Sequence, residues 1–147
     1  MSNENKKGRP RRYDADYFPH YCNHNRILEI IMDKQGNKGY GFYYRLQELL
    51  GKTPGHGYDA NNELKYEYLL TQTGVDSDTA DEIIALLCDF DELDAELWRE
   101  YKIIWWDKFV ETLKELYSRR KNNLPTKEDF TKIPDDELQK SETHKVN

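Results

Sequence analysis

Cysteine is scarce in this chain. Cys22 and Cys88 stand far apart, too few for a disulfide scaffold, so free thiols are the expected state. No apolar run approaches the roughly 18 residues that cross a bilayer, which excludes a helical membrane anchor within the sequence. Met1 to Arg12 is polar and basic and has no apolar stretch, unlike a secretory signal, so a cytoplasmic location is expected. Positive charge is in short supply too: 22 Lys and Arg stand against 28 Asp and Glu, a net charge of -6 that argues against indiscriminate coating of nucleic acid. With 147 residues, one compact domain plus tails is expected.

What is abundant is aromatic side chain: three Trp, eleven Tyr and five Phe, enough to fill a modest core. Charge is distributed very unevenly. Met1–Arg12 holds Lys6, Lys7, Arg9, Arg11 and Arg12 against Glu4, a net +4, and reads as a flexible basic arm. Asp76 to Glu100 carries ten acidic residues and one basic residue, Arg99, for a net -9. Basic charge returns at Arg119-Arg120-Lys121.

Between these blocks the hydrophobic period is helical. Asn23 and Asn25 are candidate caps for a helix that buries Ile27, Leu28, Ile31 and Met32. Gly36 and Gly39 are expected to end it in a tight turn, and a second helix follows from about Gly39 to Leu50, burying Phe42, Tyr43, Leu46, Leu49 and Leu50. Gly51 to Asn62, with Pro54 and three glycines, reads as a loop or a poor short strand.

Tyr66, Leu69 and Leu70 mark a short helix ending at Gly74. Asp76, Ser77 and Asp78 offer caps for the next, whose Ala80, Ile83, Ile84 and Leu87 form an i, i+3, i+4, i+7 stripe. Two short helices joined by a glycine-containing turn match a helix-turn-helix. Tyr101 to Trp106 is aromatic and β-branched and suits a strand, in which Trp105 and Trp106 point oppositely, so only one need be buried. Asp107 is the expected cap of a last helix packing Phe109, Val110, Leu113, Leu116 and Tyr117. Beyond Asn122, Pro125 and Pro134 break any long helix. The fold class is therefore mainly α: a winged helix-turn-helix with a small β-hairpin wing over residues 13–121, a basic arm over 1–12 and a polar, largely disordered tail or linker over 122–147.

The run Tyr17-Phe18-Pro19-His20, then Gly36-Asn37-Lys38-Gly39-Tyr40-Gly41-Phe42-Tyr43 and Leu46-Gln47-Glu48-Leu49, resembles a known family. So do Leu69-Leu70-Thr71-Gln72-Thr73-Gly74-Val75, Ile83-Ile84 and the closing Arg119-Arg120-Lys121. The chain resembles the Lin1244/Lin1753-like N-terminal domain family, DUF4373, over about Asp16 to Lys121. The resemblance implies the winged-helix front end of phage and mobile-element replication proteins related to DnaD.

An accessory DNA-binding or replication-associated module is thus expected. A helix entering a groove passes close to phosphates, so the acidic helix is a poor reader and the arm and Arg119, Arg120 and Lys121 are the candidate DNA contacts. All eight basic groups together would give a salt slope of about -7. The alternative is a protein-protein adaptor that uses Asp78, Asp81, Glu82 and Trp105 of the acidic helix and wing to meet a replication protein or a second copy. No membrane or small-molecule partner is expected.

His20, Cys22 and His24 lack the second ligand cluster that a zinc site needs, so no metal is expected and His20 reads as a packing residue. Asp89, Asp91, Glu92 and Asp94 have no central glycine at calcium-loop spacing and read as a solvated acidic turn. Gly51-Lys52-Thr53 lacks the earlier glycine of a phosphate loop, because Leu46 stands there. No carboxylate has a catalytic partner, so neither enzymatic activity nor a cofactor is expected.

Overall fold

The computed structural model describes residues 12–131. Helix α1 spans Arg26–Lys52, and the Asn25 side chain caps it by accepting from the Leu28 amide at 2.9 Å. Its backbone breaks once, at Gly36 (φ 62°, ψ -142°), a conformation that costs glycine little. The expected turn therefore occupies one residue and Gly39 lies inside the helix. Gly39 is glycine for a different reason: a Cβ there would meet Ile31 Cγ2 at 2.6 Å and the Ile31 carbonyl at 2.9 Å. The two parts of α1 thus close on each other at Ile31 and Gly39.

After a 3-10 turn at Pro54–His56, strand β1 covers Tyr58–Asp59. Helix α2, Glu63–Thr73, starts at the Asn62 cap and ends at Gly74, whose left-handed backbone (φ 76°) lets its amide reach the Leu70 carbonyl at 2.8 Å. Helix α3, Ser77–Asp89, begins where Asp76 accepts from the Thr79 amide. Its stripe of Ala80, Ile83, Ile84 and Leu87 is fully buried, as the spacing predicts. Helices α2 and α3 are the helix-turn-helix, packed against α1.

Helix α4, Ala95–Tyr101, ends at Lys102 in the left-handed region, and strand β2 is only Ile103–Ile104. It pairs antiparallel with β1, Tyr58 opposite Ile104 and Asp59 opposite Ile103. The architecture is mainly helical with a small two-stranded antiparallel β element, a winged-helix-like arrangement. In sequence, α2, α3 and α4 lie between the two strands.

Because β2 stops at Ile104, the alternation expected for Trp105 and Trp106 does not apply and both are buried. Trp106 meets Tyr43 edge to face at 4.9 Å. The last helix is divided into α5, Asp107–Glu111, and α6, Lys114–Arg120. Trp106, not Asp107, occupies the cap position of α5, and the Asp107 carboxylate instead accepts from Trp105 Nε1 at 3.2 Å. Beyond α6, Leu124 packs on the core, and a short helix α7 covers Lys127–Thr131.

Candidate nucleic-acid interface

The C-terminal end of α6 and the start of the described chain are held together by a buried polar chain. His56 is wholly inaccessible. Its Nδ1 lies 2.9 Å from the Leu50 carbonyl, which can only accept, so Nδ1 carries the proton. Nε2 then accepts from the Tyr117 hydroxyl at 2.6 Å. Burial lowers the His56 pKa and raises that of Tyr117 to about 12, so both groups are neutral here.

Next along, the Arg120 guanidinium lies 5.3 Å from the Tyr117 ring centre and donates from Nη1 to the carbonyls of Asp14, at 2.6 Å, and Arg12, at 3.3 Å. Asn122 donates to the same Arg12 carbonyl at 3.1 Å. The segment is also tied to the C-terminal end of α1: the Ala15 amide reaches the Gly51 carbonyl at 2.7 Å, and the Gly55 amide reaches the Tyr13 carbonyl at 2.9 Å.

These contacts bring Arg12 to the basic edge at the end of α6, the helix turn that also carries Arg119, Arg120 and Lys121. Arg12 is not part of a loose arm, because it pairs with Asp14 at 3.1 Å and Asp16 at 3.0 Å. Asp16 raises the Arg12 pKa further, and Arg12 in turn lowers that of Asp16. Arg120 is committed to main-chain carbonyls. Arg119 is exposed, with Glu115 a loose 3.9 Å away, and Lys121 is exposed at the left-handed cap of α6. Lys6, Lys7, Arg9 and Arg11 lie outside the described residues.

The acidic candidates sit elsewhere. Asp78, Asp81 and Glu82 are exposed on α3, where Tyr66 donates to Asp81 and Gln35 Nε2 donates to Glu82 at 2.8 Å. That Gln35 contact lies at the break in α1, whereas Gly51 marks its other end. Asn37 to Gly51 spans about 20 Å of helix at 1.5 Å per residue, beyond the roughly 8 Å over which salt screens exposed charges. The negative face of α3 therefore repels little at the basic edge. Trp105 is only 2% exposed, which corrects its reading as a partner contact: the side chain is occupied in the core, with Nε1 donating to Asp107.

The acidic turn after α3 is not uniformly solvated. Glu92 is buried and accepts from Lys108 at 2.7 Å and from Trp106 Nε1 at 3.4 Å. Asp94 caps α4 through the Leu97 amide and accepts from Lys127 at 2.9 Å. Burial opposes ionisation of Asp94, but these donors outweigh it and its pKa is lowered. His20 packs as expected, stacked on Tyr44 at 3.8 Å. Among the described residues, no three His, Cys, Asp or Glu side chains are grouped to hold a metal ion, and no helix is long and apolar enough to cross a membrane. Cys22 and Cys88 are both free thiols.

Sequence reasoning missed His56 and Glu92. Their partners lie 61 and 16 residues away, and no local pattern marks either. A family model described as Lin1244/Lin1753-like, N-terminal, matches residues 17–109. No curated protein and no solved structure matches the chain.

Proposed function

Because the chain belongs to the Lin1244/Lin1753-like N-terminal family, we propose that it is a non-catalytic, accessory DNA-binding module. Replication of a phage or mobile element, the setting that the sequence resemblance implies, is its proposed context. The observation that carries this reading is the clamp of Arg120 on the Asp14 and Arg12 carbonyls. It ties the Arg12–Asp14 backbone to the helix turn that carries Arg119 and Lys121, which supports a reading in which positive charge from both ends of the domain acts together.

In this reading phosphates are met by the arm, Arg119 and Lys121, and α3 stays out of the groove. Arg12 and Arg120 serve mainly to fix the edge. Titration of the full chain with labelled duplex DNA at low and physiological salt tests it. Saturable binding that weakens with salt and with Arg119→Ala/Lys121→Ala is the expected result.

The second reading is an adaptor that offers the exposed Asp78, Asp81 and Glu82 to a basic surface of a replication protein. Its support is the position of these carboxylates along one open face of α3. Absence of DNA binding even at low salt would leave this reading in place of the first.

A further inference from the structure

A trough runs beside the N-terminal segment, walled by chain from both ends of the domain. From Tyr17 to Tyr21 successive side chains alternate. Phe18 packs edge-on to Phe109 at 5.2 Å, and His20, itself exposed, stacks on Tyr44. Tyr17, Pro19 and Tyr21 line the trough instead. Its opposite wall is α5 and α6, and its volume is about 570 Å³. Past Pro19, Tyr21 and Lys108 lies a second hollow of about 370 Å³ that reaches Trp106.

Tyr17 and Tyr21 are 59% and 63% exposed, and among the described residues neither ring has an aromatic partner. The charged groups lining the larger trough are Lys108, Lys114 and Arg119 against Glu111 and Glu115, three positive and two negative, net +1. Lys108 is engaged by the buried Glu92, so Lys114 and Arg119 balance Glu111 and Glu115. In a chain of net charge -6 this is a surface without the general acidic excess, and it bears two open aromatic faces. That pairing suits a strand with a charged backbone and flat, unpaired bases. A duplex does not present such faces, because its bases are stacked on one another.

We propose that the Tyr17–Tyr21 trough binds a single strand of nucleic acid, the two tyrosines stacking on bases and Lys114 and Arg119 taking phosphates. The proposal rests on the DNA-binding reading and refines it: duplex phosphates meet the basic edge, and unpaired bases meet the tyrosines. At the roughly 3.3 Å rise of an extended chain, the α-carbons of Tyr17 and Tyr21 stand at most about 13 Å apart, a span that an extended single strand can follow.

The test is fluorescence anisotropy of the full chain with a labelled oligothymidylate and, separately, a labelled duplex. Tyr17→Ala and Tyr21→Ala are each expected to weaken single-strand binding by about five- to a hundredfold, with duplex binding unchanged and Tyr→Phe at either position retaining it. Circular dichroism checks that the variants fold, as the exposure of both rings leads one to expect. If the alanine variants hold the oligothymidylate as well as the native chain does, the trough proposal fails while duplex binding can still stand. If the native chain binds the duplex but not the single strand, the trough proposal fails alone. If it binds neither, both readings fall.

Discussion

Arg120 Nη1 donates to the Asp14 carbonyl at 2.6 Å across 106 residues of sequence. The contact joins the last turn of α6 to the first of the described residues. It also separates two arginines that are adjacent in sequence: Arg120 is structural, and Arg119 faces solvent.

Arg120→Ala should therefore lower stability by about 1.5–3 kcal/mol, the range for hydrogen bonds to a charged group. Arg119→Ala should change it by less than about 0.5 kcal/mol, as an exposed substitution does. Thermal unfolding followed by circular dichroism separates the two. Equal losses would mean that the clamp contributes nothing of its own.

The buried His56 makes stability depend on pH with a definite sign. Its folded pKa lies below the usual 6.5, so the unfolded chain binds more protons under acid conditions. Stability from this group is complete above about pH 6.5 and declines as pH falls below that value. His56→Gln should be less stable at pH 7.5 and should flatten the slope of midpoint temperature between pH 7.5 and 5. An unchanged slope in the variant would assign the dependence to other groups.

Glu92 and Lys108 should behave asymmetrically. Lys108→Ala strands a buried carboxylate and should cost about 2–3 kcal/mol, less than a fully buried pair because Lys108 is itself 70% exposed. Glu92→Gln keeps an acceptor for Trp106 Nε1 and leaves an exposed lysine to water, so about 1 kcal/mol is expected. Adding Lys108→Ala to the Glu92→Gln variant should then cost little. Urea denaturation of the four proteins gives the coupling, and strict additivity would contradict the pairing.

Two glycines in α1 offer a matched comparison. Gly41 has open space around its missing Cβ, so Gly41→Ala should stabilise the helix by up to about 1 kcal/mol. Gly39→Ala drives a methyl against Ile31 and should destabilise by about 1–3 kcal/mol. Equal effects of the two substitutions, read from denaturation midpoints, would contradict the close approach at Ile31.

Much of the fold was legible because its signals are local. The α3 stripe, its Asp76 cap and the Gly74 terminator are set by residues within one or two turns of each other. The fate of the tryptophans was not legible, since β2 is two residues long and the turn into α5 depends on packing against Tyr43. Nor were the roles of Arg12 and Arg120. Arg120 reads as a free cation until the fold brings the Asp14 and Arg12 carbonyls to it. The partners of Arg12, Asp14 and Asp16, are near in sequence and are passed over when Arg12 is counted with the basic arm. Charge counted along the chain overstated the acidic barrier, because Glu92 is buried in an ion pair, Asp76 and Asp94 cap helices, and α3 stands at the far end of α1 from the basic edge.

That edge is the central claim, and the salt dependence of duplex binding tests it most directly. With Arg12 and Arg120 engaged in the fold, six cations remain for phosphate: Lys6, Lys7, Arg9, Arg11, Arg119 and Lys121. The logarithm of the binding constant should fall against that of salt with a slope of about -5, and Arg119→Ala/Lys121→Ala should reduce it by about 2. Asp78→Asn/Asp81→Asn should leave the slope unchanged. A slope indifferent to Arg119 and Lys121, or no measurable binding at low salt, would contradict the account.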